Sequence, residues 1–278
     1  MRMKKIDILV AYHKNSLTFK SNYLKPIQVG ASNSELDLGF LKDNVGENIS
    51  VKNNNYCELT AIYWAWKNLN SDYIGICHYR RFFILNNIST KITKLKRKLR
   101  YNIEKLISLF INRTGFSYSM TIKFNSNKIQ QHINKFDLKI DSLLDRYDLI
   151  LPEKIVFLNL NIKQQYELNH NGNDLEVLEK IIKEKKSSYM KNYEKIFKGN
   201  KISAYNMFIM KKNIFDEYCS WLFEILFELE KKVEISKNSY QARVFGFISE
   251  RLLNVFVDKL IEDNKIKIKY LPVAFLEE

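Results

Sequence analysis

Residues 56–83 read YCELTAIYWAWKNLNSDYIGICHYRRFF, and this stretch decides the fold class. Leu59, Ile62, Tyr63, Trp66 and Leu69 recur at helical spacing and lie on one face of a helix over 57–69. Asn68–Asp72 breaks the pattern. Tyr73–Cys77 then reads as a short strand buried on both faces, as in a parallel sheet. His78-Tyr79-Arg80-Arg81 stands where that strand ends. Ligands of open α/β sheets bind just past the carboxyl ends of strands. A cationic cluster at that place asks for an anion, and a guanidinium fork gives phosphate two hydrogen bonds at once. If the strand persists, alternation puts His78 and Arg80 on one face and Tyr79 and Arg81 on the other. One arginine then reaches the ligand and the other ties down the fold. The alternative is a pair of arginines salt-bridged at a strand end.

Outward from this block, Ile6–Tyr12 is a strand candidate interrupted by Asp7, and Ile27–Ala31 is a shorter one. Residues 32–55 are polar and loop-like. Asp148–Pro152 and Tyr205–Met210 read as strands, and Ile266–Val273 as a closing strand. Helices are expected over 174–186, with Asn173 or Asp174 as N-cap, over 214–232, with Asn213 and Asp216 resembling a capping box, and over 240–262. Residues 86–146 change character and read as an insertion. Lys91, Lys94, Lys96, Arg97, Lys98, Arg100 and Lys105 crowd one part of it, followed by the apolar Leu106–Ile111. That part is either a solvated basic helix or one that lies on an anionic leaflet. The order of elements predicts an α/β fold, with a parallel-rich sheet first and a helical portion afterwards.

At 278 residues the chain is long enough for a large core in one domain. Its 45 Lys and Arg against 31 Asp and Glu give a net charge of +14, which favours nucleic acid, an anionic membrane or phosphorylated substrates. RNA-binding and zinc-finger signatures are lacking, so no nucleic-acid partner is expected. Cys57, Cys77 and Cys219 are scattered, as suits reduced thiols in a cytosolic protein. The histidines, His13, His78, His132 and His170, lack ligand spacing, so no metal site is expected. No apolar run reaches about 18 residues. A cytoplasmic protein follows, peripheral at most on the inner face of the membrane.

ELTAIYWAWKN followed by DYIGICHYRRFF resembles the signature of a glycosyltransferase family from capsule and exopolysaccharide loci, long catalogued only as a domain of unknown function. DNVGENIS and KNN within 43–54, YNMFIMKKNIFDEYCSWLFEIL at 205–226 and QARVFGFISERLLNVF at 241–256 resemble further family segments. The resemblance spans nearly the whole chain and is weakest over 86–146. It implies one GT-A-like domain over 1–278, with a nucleotide-sugar-binding sheet and a helical acceptor side. Some relatives are galactofuranosyltransferases, which implies UDP-galactofuranose as one donor. The implied acceptor is a growing capsule, exopolysaccharide or O-antigen unit, lipid-linked, close to an anionic membrane surface.

In that fold, many enzymes carry an Asp-x-Asp motif after the equivalent of Tyr73–Cys77, and its carboxylates hold a divalent metal against the donor diphosphate. His-Tyr-Arg-Arg offers no acidic pair. The expectation is therefore that arginine replaces the metal and no cofactor is required. The resemblance also implies that Asp43, Asn44, Lys52 and Asn53 bracket the nucleotide and that His13 lies where uracil sits. Ordinary turn chemistry and a lone exposed histidine are the alternatives. An inverting transfer needs a general base. Glu250 stands where an acidic residue serves in many inverting relatives of the fold, and Asp174, with His170 nearby, competes with it. Glu250 also has Arg243 or Arg251 to pair with, and Asp174 a helix to cap. Arg243 either contacts phosphate or pairs with Glu250. Glu58 and Thr60 contact the sugar or simply begin their helix well. Trp64 is off the apolar stripe and is the candidate sugar platform, whereas Tyr63, Trp66 and Trp221 belong to stripes. The rival class is a non-catalytic protein that binds polyanions or carbohydrate. A phosphotransferase is disfavoured by the lack of a Gly-rich phosphate loop.

Overall fold

The computed structural model describes residues 4–111 and 116–277. The chain opens with β1 (Ile6–Tyr12), buried along its whole length, then β2 (Leu24–Gln28) and the short β3 (Leu41–Lys42). One helical turn, α1 (Asn53–Tyr56), leads into α2 (Leu59–Asn68) and β4 (Tyr73–His78). β5 (Arg81–Phe83) follows, then α3 (Ile88–Ile107), β6 (Ser117–Tyr118), β7 (Thr121–Phe124), α4 (Ser126–Asp137) and α5 (Ile140–Leu144). After β8 (Leu149–Pro152) and β9 (Ile155–Phe157) come α6 (Ile162–Glu167), α7 (Asn173–Lys185) and α8 (Met190–Lys198). β10 (Lys201–Ile202), β11 (Phe208–Lys211), α9 (Lys212–Glu230), α10 (Val244–Glu262), β12 (Ile268–Leu271) and β13 (Val273–Leu276) complete it.

The main sheet runs in the order β12-β8-β11-β4-β1-β2-β3. Its β4–β1, β1–β2, β2–β3 and β12–β8 pairs are parallel, and β11 is antiparallel to both neighbours. The α/β, parallel-rich architecture expected from the sequence is therefore the one found. An arm of β5, β13 and β7 extends from β4, and β10-β9-β6 form a small second sheet.

Strand alternation divides the core between the two faces of the sheet. Leu9 and Ala11 of β1, with Ile74 and Ile76 of β4, face the helical side built from α2, α7, α8, α9 and α10. Ile8, Val10 and Tyr12, with Tyr73 and Cys77, face α4, α5 and β13. A strand buried on both faces reads as a continuous apolar run, which is why β1 and β4 are legible in the sequence. The exception, Asp7, is fully buried but paired with Lys25 and the Ser71 hydroxyl. Burial alone raises its pKa; the Lys25 and Ser71 contacts outweigh that and hold it below the ordinary aspartate value. Gly75 lies where a Cβ would meet Ile209 at 2.9 Å and the Phe208 carbonyl at 3.0 Å, so β4 and β11 approach only because it is glycine.

Several sequence expectations change. The second strand lies at Leu24–Gln28 rather than 27–31. The closing strand splits at Pro272, where the chain exchanges β8 for β5 and β7 as neighbours. α7 begins at Asn173, with Gly172 as N-cap. The expected capping box does not form: α9 starts at Lys212, Asn213 lies inside the helix, and Asp216 binds Lys212 Nζ. Residues 86–146 do not stand apart from the core. Ile129, Ile133, Phe136, Ile140 and Leu144 of α4 and α5 build the core on one sheet face, and β7 pairs with β13. Among the described residues of that stretch, α3 is the element whose surface is left largely outside the core.

Candidate functional site

β1 and β4 run parallel and end together, so His13 and His78 emerge side by side at their carboxyl ends. α1, the start of α2, the loop before α10 and β13 close the space beyond them. The result is an open cavity of about 940 Å³ whose wall includes His13, Asn53, Glu58, His78, Tyr79, Arg80, Arg81 and Arg243.

The His-Tyr-Arg-Arg cluster folds differently from the sequence expectation. β4 stops at His78, two residues turn, and β5 returns so that His78 pairs with Arg81. A two-residue hairpin cancels simple strand alternation, and all four residues line the cavity. Tyr79 packs edge-on against His13 at 5.3 Å, with the Arg80 guanidinium 5.4 Å from its ring. The Arg81 guanidinium lies 4.6 Å from the Tyr205 ring centre and 5.2 Å from that of Phe275. Its Nε is buried and has no hydrogen-bond partner among the described residues. Arg243 closes the far side, donating from Nε to Cys57 Sγ at 3.1 Å. Desolvation by the wall, and after it the charges of Lys14, Arg243, His78 and Arg80, hold the His13 imidazole below its ordinary pKa. Burial pushes the Cys57 thiol up to about 11, so it stays protonated at neutral pH.

Behind the arginines lies a polar network organised by two consecutive left-handed residues, Tyr205 (φ 74°) and Asn206 (φ 49°). Such a conformation is uncommon for residues with a Cβ and marks a held backbone. Glu250 Oε1 accepts from the Tyr205 N–H at 2.8 Å, and His78 Nε2 lies 2.5 Å from the Tyr205 carbonyl. Asn206 Nδ2 donates to Glu58 Oε1 at 2.7 Å, and Ser249 Oγ donates to Asn206 Oδ1. Burial raises the Glu250 carboxyl above the ordinary glutamate range and Glu58 adds to the rise, while Arg251, at 3.1 Å, opposes it. Glu58 is the carboxylate on the cavity wall; Glu250 lies behind it, on the wall of neither cavity described here.

The other base candidates sit next door. Asp174 and His170 line a smaller cavity of about 380 Å³, which shares Ile235 and Ser236 with the larger one. Asp174 is buried, which raises its pKa, and it accepts from the Tyr166 hydroxyl at 3.3 Å. His170 stacks on Phe247 at 3.9 Å and contacts Gln241 at 3.0 Å.

Four candidates are structural in position. Asp43 is fully buried and accepts from the Gly30 and Ala31 N–H groups and from Ser50 Oγ. Lys52 Nζ binds both oxygens of Glu230. Thr60 is buried and holds the Cys57 turn through its carbonyl. Trp64 is buried, with its indole N–H on the Val45 carbonyl at 2.7 Å. It is off the stripe, yet it is no exposed platform, because α2 is covered on more than one side. Asn44 lies on neither cavity wall. Tyr205 and Phe275 were not singled out from the sequence. A Tyr-Asn pair before an apolar run is only a weak left-handed cue, and Phe275 reaches the wall through the arm of β5 and β13.

A hard divalent cation would meet few carboxylates at this wall. Such ions take several oxygen ligands, and the larger cavity brings one carboxylate, Glu58, against three arginines. Among the described residues, no group of three or more His, Cys, Asp or Glu is placed to hold a metal.

A family model described as "Domain of unknown function (DUF4422)" matches residues 7–263. The solved structure titled "WbbM bifunctional glycosytransferase apo structure" superposes with a TM-score of 0.81 at 27% identity, over 99% of this chain. The chain spans 46% of that protein, less than half its length. No curated protein matches.

Proposed function

The chain belongs to the family described as a domain of unknown function (DUF4422), and from that premise we propose that it is a glycosyltransferase whose larger cavity takes a nucleotide-sugar donor. The observation that carries this reading is the cationic wall at the joint carboxyl ends of β1 and β4. It occurs on a chain that aligns over 99% of its length with part of a protein titled as a bifunctional glycosyltransferase. The donor is UDP-linked, with UDP-galactofuranose as one candidate, and the transferred group is a hexose. The acceptor is a growing capsule, exopolysaccharide or O-antigen unit on a lipid carrier, met on the cytoplasmic side.

Arg80, Arg81 and Arg243 neutralise the diphosphate, and His13 and Asn53 flank the nucleoside. The acceptor hydroxyl oxygen bonds to the anomeric carbon of the donor. The bond from that carbon to the phosphate oxygen breaks, and its electron pair leaves on the nucleoside diphosphate. Glu58 takes the acceptor proton, and attack opposite the leaving group inverts the anomeric centre. Fixed guanidinium groups aimed at the departing charge supply the stabilisation that a metal gives elsewhere. Glu250 is a positioning residue: it holds Tyr205, whose ring backs Arg81 and whose neighbour Asn206 orients Glu58. Asp174 and His170, in the adjoining cavity, face the acceptor.

A thermal-shift series with UDP, UDP-sugars and other nucleotides, with and without EDTA, tests the reading. UDP and a UDP-sugar should raise Tm, as any ligand of the native state does, and EDTA should leave the shift unchanged. No shift with any nucleotide, together with tight, salt-sensitive binding of DNA or RNA, would sink it in favour of a non-catalytic polyanion-binding protein.

A further inference from the structure

Among the described residues, α3 has an anchored side and an unpartnered side. On the anchored side Thr90 is buried, Lys94 Nζ pairs with Glu153 at 2.5 Å, and Arg97 Nη1 donates to the carbonyls of Ser119 and Thr121 at 2.6 and 2.8 Å. On the opposite side Ile88, Ile92, Leu95, Leu99, Ile103 and Leu106 recur in steps of three and four, and every one is exposed. Leu95 is 69% exposed, and Phe110, just beyond the helix end, is 86% exposed. A contiguous stripe of this kind marks an interaction surface. Cations border it: Lys91, Lys98 and Lys105 follow one edge at seven-residue steps, and Lys96 and Arg100 follow the other. Glu104 is the sole acidic residue of the helix.

We infer that α3 lays this stripe onto an anionic lipid surface, with its leucines and isoleucines among the acyl chains and its lysines among the headgroups. Charge selects this occupant. A second copy packed stripe to stripe would bring the same lysine edges against each other, and like charges there repel. Nucleic acid would use the cations and leave the apolar residues in water. An interfacial helix needs both halves, an apolar face and a basic border. The placement also has a consequence for the site. The anchor hangs on β7 through Thr121, β7 pairs with β13, and β13 carries Phe275 of the larger cavity. Docking therefore acts on the arm that carries part of the cavity wall. The inference does not depend on the transferase reading, because its test reads lipid binding alone.

The full chain should co-sediment with vesicles of phosphatidylglycerol and phosphatidylcholine at about three to seven, and not with pure phosphatidylcholine. Salt should weaken the binding. Leu95→Glu with Leu99→Glu should abolish it, and Lys98→Ala with Lys105→Ala should weaken it by about fivefold per lysine. Neither pair should lower Tm, since all four side chains are exposed. Equal pelleting with neutral vesicles, no pelleting with either, or full binding by the glutamate pair would overturn the proposal. So would a chain that runs as a dimer in gel filtration and becomes a monomer in the glutamate pair, because the stripe would then belong to a second copy.

Discussion

The hairpin at His78–Arg81 and the helix α3 are two cationic clusters of this chain, and they are built on opposite plans. At the hairpin, charge points inward: Arg81 lies between the rings of Tyr205 and Phe275 with a buried Nε, and Arg243 is held on Cys57. On α3, lysines point into solvent beside exposed leucines and isoleucines. The first arrangement fixes a few donors in a desolvated wall, which suits one anion bound in one pose. The second spreads mobile charges along an apolar stripe, which suits a surface with no fixed geometry. A net charge of +14 describes both equally well; what lies beneath each cluster separates them.

The largest effect expected inside the cavity is at Glu58. Glu58→Gln keeps an amide oxygen for the Asn206 bond but removes the proton acceptor. Turnover should fall by about 10² to 10⁴-fold, with UDP affinity retained in calorimetry. Full turnover in Glu58→Gln would move the base elsewhere, to Asp174 or His170 in the smaller cavity or to Glu250 behind the wall.

A smaller effect separates the two clusters directly. Arg81→Ala should lower turnover by about 10² to 10³-fold and weaken UDP binding, and Arg81→Lys should recover only part of it, because a point charge does not replace a fork. Lys98→Ala, measured with a water-soluble acceptor, should change neither quantity. If both substitutions cost turnover alike, the distinction between an inward and an outward cluster is wrong.

How much of this was legible follows from which signals are local. β1 and β4 announce themselves because burial on both faces leaves continuous apolar runs, and α9 and α10 carry long core stripes. Positions set by distant partners do not announce themselves. The turn after His78 depends on β5 finding β13, nearly 200 residues away in sequence. The left-handed Tyr205 and Asn206 carry no glycine to betray them. Trp64 fell off the apolar stripe and invited a surface role, but the loop carrying Val45 covers it. On α3 the basic residues stand out in the sequence, whereas the side on which its apolar residues lie, core or solvent, is a tertiary fact. The partners of Asp43 and Lys52 are hidden for the same reason, since Gly30 and Glu230 engage them from elsewhere in the chain.

The smallest expected effect tests whether the hairpin's surroundings are as desolvated as the contrast with α3 requires. Burial raises the Glu250 pKa in the folded protein above the ordinary glutamate value of about 4.3. Between those two values the folded state holds a proton that the unfolded chain releases. The contribution of Glu250 to stability is therefore fully present below the ordinary value and is lost as pH rises through the folded one. Glu250→Gln removes that dependence. It keeps an acceptor for the Tyr205 N–H and loses charge toward Arg251, a cost that does not vary with protonation of residue 250. The offset between the two proteins is thus uninformative and the slope is the readout. Tm of the native chain minus Tm of Glu250→Gln should fall as pH is raised from the ordinary glutamate value through the raised folded one and then level off, while other titrating groups cancel. A flat difference would mean that water reaches Glu250 freely, and the wall behind Arg81 would then be no drier than the surface of α3.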